Sequence, residues 1–67
     1  MSALELRNQL LELQAERALA EETGVARIES YMDDLQRDIE RSRAAYVGAA
    51  VTEIATFRAQ LSGPQVG

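Results

Sequence analysis

The chain has 67 residues, a net charge of −4, and neither cysteine nor histidine. This composition excludes disulfide bonds, metal sites built on thiolate or imidazole ligands, and nucleophilic triads that need a histidine base. A single core of this size is marginal without such aids. We therefore expect one small domain, residues 1–67, that gains stability from a partner chain.

The charge balance also limits the partners. All seven basic residues are arginines, and eleven acidic residues outnumber them. An acidic chain repels phosphate backbones, so no nucleic acid is expected as a partner. No apolar run approaches the roughly 20 residues that span a bilayer, and the N-terminus lacks the basic flank of a signal peptide. We expect a cytoplasmic protein with no membrane span and, because no glycine spacing matches a phosphate loop, no cofactor.

A first helix is predicted over about residues 3–20, because Ser2 and Glu5 have the spacing of a capping box. Its apolar residues form two stripes separated by a polar line. The first stripe is Leu6, Leu10, Leu13 and Ala20. The second stripe is Leu4, Leu11, Ala15 and Ala18. Two stripes are typical of a helix with two neighbours, and one broad apolar face with a polar seam is the alternative.

The candidate turn lies at residues 21–24. Gly24 suits the left-handed position after a helix, and Thr23 suits the N-cap of the next helix. A link this short favours an antiparallel helical hairpin. One continuous long helix is the alternative, because apolar residues keep a seven-residue spacing across Gly24 and because Glu21 and Glu22 are unfavourable at a helix C-terminus.

A long helix is predicted over about residues 25–61, with a heptad core. Positions a are Val25, Met32, Ile39 and Tyr46, and positions d are Ile28, Leu35, Ser42 and Ala49. After Tyr46 the stripe advances by four residues twice, through Ala50 to Ile54, which is a stutter in the heptad pattern. Gly63 and Pro64 end the helix, and residues 62–67 are expected to form a frayed tail.

The predicted fold class is all-α: a helical hairpin or coiled coil that forms part of an oligomeric helical bundle. A helix of this length cannot bury its apolar stripe within so short a chain. If the first helix covers about residues 25–43, the stripe from Tyr46 to Leu61 stays uncovered and makes the contact between chains. The predicted interface consists of Val25, Ile28, Met32, Leu35, Ile39, Tyr46, Ala50, Ile54, Phe57 and Leu61.

One cluster has side chains suited to chemistry. Four acidic residues between positions 29 and 38 could bind a hard cation or exchange protons. Because Arg37 and Arg41 lie among them and nothing apolar encloses them, a solvated helix face is favoured. The expected function is that of a non-enzymatic structural or adaptor protein that forms a homo-oligomer or packs on a larger assembly. The alternatives are a small dimeric regulator associated with nucleic acid and a peripheral amphipathic membrane helix.

Overall fold

The computed structural model describes residues 1–62. Helix α1, Ala3–Thr23, is joined by a 3₁₀ turn, Val25–Arg27, to helix α2, Glu29–Leu61. The Ala3 amide contacts Glu53 and the Arg17 side chain contacts Gln36, so the two helices run antiparallel. The molecule is 64 Å long and 16 Å by 13 Å across. The predicted hairpin is confirmed, and the alternative of one continuous helix is wrong.

The N-terminus of α1 is closed by the predicted capping box. The Glu5 amide donates to Ser2 Oγ at 3.2 Å, and the Ser2 amide donates to the Glu5 carboxylate at 3.3 Å. The Ser2 hydroxyl also donates to this carboxylate, and these hydrogen bonds lower the pKa of Glu5. The first amides of a helix have no carbonyl partner within the helix, and the capping box gives such amides a hydrogen-bond acceptor.

The C-terminus of α1 extends to Thr23 rather than to the predicted residue 20. The helix stops at Gly24, whose φ of 86° lies in the left-handed region that glycine adopts without strain. The predicted capping of the next helix by Thr23 is wrong, because its hydroxyl donates to the Leu19 carbonyl at 2.8 Å. Arg17 lies 3.5 Å from Glu21 and offsets one acid at the negative end of the helix dipole.

Helix α2 begins at Glu29, not at the predicted residue 25. Ile28 is the N-cap residue, in an extended conformation and without a side-chain cap, and its amide donates to the Val25 carbonyl at 3.0 Å. Val25 and Ile28 therefore belong to the turn, and the first predicted heptad is not helical. At the other end the Ser62 amide donates to the Arg58 carbonyl. The predicted cap at Gly63 and the tail after it lie outside the described residues.

The hairpin core lies between α1 and about the first half of α2. Its buried cluster is Leu10, Leu35 and Ile39, and partly buried apolar side chains pack around it: Leu13, Tyr31, Met32 and Tyr46. The α2 members from Met32 to Tyr46 include a and d positions of the predicted heptad, which is confirmed here as the α1-facing seam. Such a core uses only part of the apolar surface of the chain.

Candidate interaction surface

The covered part of α2 ends at Glu53. The Ala3 amide, one of the free donors at the start of α1, donates to the Glu53 carboxylate. This carboxylate also places negative charge at the positive end of the α1 dipole. The cover thus extends beyond residue 43, and the expectation that Tyr46 is uncovered is wrong because Tyr46 packs against the core.

Residues 54–61 continue α2 beyond the start of α1, over about 12 Å at 1.5 Å per residue. Five large apolar side chains near this end of α2 are exposed, and we call them the α2 tip face. They are Val47, Val51, Ile54, Phe57 and Leu61. At 100° per residue they span an arc of about 120°. An apolar arc of that width is typical of a helix that packs against a core.

A shallow depression lies beside the tip face. Glu53, Thr56 and Gln60 provide its polar edge, and Ile54 and Phe57 provide its apolar edge. All of these residues come from α2, so the depression is an open ledge on one helix. Small-molecule sites are concave and enclose most of the ligand surface. This ledge therefore suits a packed helix better than a small ligand.

The structure divides the ten predicted interface residues into three groups. Four contribute to the hairpin core: Met32, Leu35, Ile39 and Tyr46. Three belong to the α2 tip face: Ile54, Phe57 and Leu61. The others lie in the turn or at the half-buried edge of the covered region: Val25, Ile28 and Ala50. Sequence reasoning missed Val47 and Val51, although their spacing of seven and three residues from Ile54 places all three on one side of α2.

A second unpartnered stripe lies on α1. Leu10 and Ala20 of the first predicted stripe are buried, and Leu6 and Leu13 are half-buried. The second stripe, from Leu4 to Ala18, is exposed along its whole length. At 100° per residue it lies about 160° around α1 from the first. The alternative of one broad face against α2 therefore does not describe α1, which presents separate apolar surfaces on opposite sides.

The acidic patch predicted on α2 lies on its polar surface. The acidic residues between positions 29 and 38 are exposed, and two of them form ion pairs, Asp34 with Arg37 at 3.1 Å and Asp38 with Arg41 at 3.6 Å. Across residues 1–62, no three acidic side chains are grouped as metal ligands. Burial and the neighbouring Glu16 carboxylate raise the pKa of Tyr31, so this phenol is less easily ionised than an ordinary tyrosine.

The fold defines a class, the two-helix antiparallel hairpin with one helix longer than the other. No protein-family model matches the sequence, and comparisons with curated proteins and with solved structures find no similar chain. In the part of the chain that the structure describes, no helix is long and apolar enough to cross a membrane. The α2 tip face is the feature from which a function can be inferred.

Proposed function

We propose that this chain is a non-enzymatic structural or adaptor protein that acts by helix–helix association, with copies of itself or on a larger assembly. The observation that carries the proposal is the α2 tip face, five large apolar side chains on one side of a helix end that α1 leaves uncovered. Contiguous exposed apolar surface of this kind marks interaction sites in soluble proteins.

The tip face is large enough for a reversible complex. Full burial of one such side chain contributes about 1.5–3 kcal/mol, and these side chains are between half and two-thirds exposed, which leaves roughly 1–2 kcal/mol each. Two copies would together gain roughly 10–20 kcal/mol, against about 4–15 kcal/mol for the loss of translational and rotational freedom. The difference supports association that depends on protein concentration.

The charges near the tip favour a protein partner over a phosphate-rich surface. Between residues 44 and 61 the only charged residues are Glu53 and Arg58, which cancel. Helices that bind anionic membranes or nucleic acid carry several basic residues on their polar face. The neutral tip lacks that feature, whereas an apolar face with few charges is typical of a contact between protein helices.

The test uses the purified full chain and two variants with matched exposure. Ile54 in the tip face and Leu19 on α1 are each 59 % exposed. We expect the wild type and Leu19→Glu to associate with increasing concentration in sedimentation equilibrium, and Ile54→Glu to remain a monomer with unchanged helix content by circular dichroism. A wild type that stays monomeric throughout would refute self-association and leave only packing on a larger assembly. An Ile54→Glu variant that associates as Leu19→Glu does would refute the role of the tip face.

A further inference from the structure

We infer that the α2 tip face binds the same face of a second copy of this chain, with the two α2 helices parallel and in register. The inference rests on the proposed function, because it assumes association through this face. It adds the identity of the partner and the orientation of the pair. Three observations carry it: the spacing of the apolar residues defines the seam, the position of α1 leaves room for a partner, and the placement of two charges selects the orientation.

The spacing is that of a coiled coil. Val47, Ala50, Ile54, Phe57 and Leu61 follow one another at intervals of three, four, three and four residues. They therefore occupy heptad positions a, d, a, d and a, on an arc of about 80°. The β-branched residues Val47 and Ile54 lie at a, where two-stranded coiled coils prefer them, while Ala50 and Phe57 occupy d, where leucine is usual. Val51 falls at the flanking position e and extends the contact on one side.

The position of α1 leaves this seam open except at its edge, where Ala50 is half-buried. Ser42, Tyr46 and Glu53 lie on the side of α2 that faces α1. At 100° per residue, the centre of the tip heptads lies about 80° around α2 from these residues. The stutter after Tyr46 produces this rotation, because a four-residue step moves the apolar stripe off the hairpin seam. A second α2 can therefore approach the tip without displacing α1.

The two charges of the tip select the orientation. In the heptad frame Glu53 is at g and Arg58 is at e, the flanking positions whose ion pairs set partner and orientation in coiled coils. A parallel in-register pair brings Glu53 of one copy beside Arg58 of the other, twice per dimer. An antiparallel pair, by contrast, brings Glu53 beside Gln60 and Arg58 beside Val51. In the parallel pair both Glu53 and Arg58 face an opposite charge, and in the antiparallel pair both face uncharged residues.

Both charged groups are placed to make this contact. Glu53 Oε2 accepts the Ala3 amide of its own chain, which leaves Oε1 for Arg58 of the second copy. Within residues 1–62 Arg58 forms no salt bridge. Glu53 therefore lies where the N-terminus of α1, the end of α2 and the second copy would meet.

The distribution of charge also favours a second copy at the tip. Each chain carries a net charge of −4, so the acidic surfaces of two copies repel each other over most of their length. Residues 44–61 carry no net charge. Two copies can therefore approach with least repulsion at the tips, and the parallel orientation itself rests on the pairing of Glu53 of one copy with Arg58 of the other.

The orientation is tested by equilibrium cross-linking in a glutathione buffer. The native chain has no cysteine, so Ala50→Cys and Leu61→Cys each introduce a single thiol. In the parallel dimer each variant forms a disulfide with its own kind, because like positions face each other. In the antiparallel dimer residue 50 faces residue 61, and a mixture of the two variants forms the mixed disulfide. The two positions are about 16 Å apart along a parallel pair, too far for a disulfide.

A cysteine on the outer side of the helix is the control. Thr52 is exposed and occupies position f of the tip heptads, which points away from the seam. Thr52→Cys should form at least tenfold less dimeric disulfide than Ala50→Cys under the same conditions. Equal cross-linking at positions 50 and 52 would show that the disulfides report random collisions, and would overturn the inference.

Charge exchange gives an independent test. Glu53→Arg or Arg58→Glu alone places like charges side by side in the parallel dimer, so each variant should associate several-fold more weakly than wild type. An equimolar mixture should restore association, because every flanking pair in the heterodimer is again opposite in charge. Circular dichroism of Glu53→Arg shows separately whether loss of the Ala3 contact lowers its helix content. Unchanged association of both single variants would overturn the orientation.

The outcomes separate this inference from the proposed function. Association that requires Ile54, together with the mixed disulfide between positions 50 and 61, would overturn the parallel arrangement and leave the proposed function intact. A monomeric wild type would overturn this inference and leave packing on a larger assembly as the only form of the proposed function. Self-disulfides at positions 50 and 61, a poor disulfide at position 52 and rescue by the mixed charge variants would establish the parallel pair.

Discussion

Replacing Ile39 by alanine should remove much of the stability of the hairpin. Ile39 is 1 % exposed and shares the only buried cluster among the described residues with Leu10 and Leu35. Burial of three such side chains contributes roughly 5–9 kcal/mol, so Ile39 supplies about a third of it. Truncation of a buried isoleucine to alanine costs about 2–5 kcal/mol. In a two-helix hairpin the cavity left by Ile39→Ala is open at its sides, so the surrounding side chains can partly fill it. We therefore expect a loss of about 2–3 kcal/mol in the free energy of unfolding, at the lower end of that range.

The assay is urea unfolding followed by circular dichroism at two protein concentrations far apart. Ile54→Ala is the matched control, because it makes the same chemical change at a site that is 59 % exposed. Ile39→Ala should lower the free energy of unfolding by a similar amount at both concentrations. Ile54→Ala should change it by less than about 0.5 kcal/mol in dilute solution, and by more where the chain is associated.

An Ile39→Ala variant that unfolds at the wild-type urea concentration with the same slope would refute this reasoning. It would mean that the side chain at position 39 is not enclosed between α1 and α2. Equal losses from Ile39→Ala and Ile54→Ala at low concentration would be as damaging, because they would remove the distinction between the hairpin core and the tip face.

Further predictions concern the ends of α1. Gly24→Ala should lower the free energy of unfolding by about 1–2 kcal/mol in thermal unfolding, because alanine is strained at the φ of 86°. The added methyl group itself would contact only the Arg27 side chain, at 4.0 Å. Gly24→Asn should cost less, because asparagine tolerates this conformation better, and equal losses would contradict the left-handed cap. Ser2→Ala should cost about 1 kcal/mol. The pKa of Glu5 is lower in the folded chain than in the unfolded chain. The Glu5 carboxylate therefore stabilises the fold fully above its pKa in the unfolded chain, and this stabilisation is lost as the pH falls through its pKa in the folded chain. An acid titration of helix content should show this loss, and Glu5→Gln should remove that component.

The parts of the fold that sequence could predict depend on local chemistry. The capping box needs only Ser2 and Glu5 at the right spacing, and the break at Gly24 needs only a residue that tolerates a positive φ. The seam from Met32 to Tyr46 follows from a heptad pattern that any packed helix would display. Each of these features is determined within a few residues of the position where it occurs.

The parts that sequence missed depend on long-range packing. Val25 and Ile28 continue the heptad spacing of α2, so the pattern alone cannot show that both lie in a turn. The second stripe of α1 keeps the same seven-residue spacing as the α2 core, yet it lies on the side away from α2. The length of α2 that α1 covers is greater than the sequence predicts. This length depends on which residues of the two helices come together, and the contact between Ala3 and Glu53 at the open end of the hairpin joins residues that are 50 positions apart in the sequence.

The stutter after Tyr46 connects the fold to the proposed function. A heptad continued from Leu35 through Tyr46 would reach Glu53, Thr56 and Gln60, which are polar and would give a second helix little to bury. The apolar residues instead shift around α2 and become the tip face. One uninterrupted helix thus presents an intrachain seam along its first part and a separately oriented seam at its end. Glu53, at the boundary, would contact both neighbours, so closing the hairpin and binding a second copy would stabilise each other.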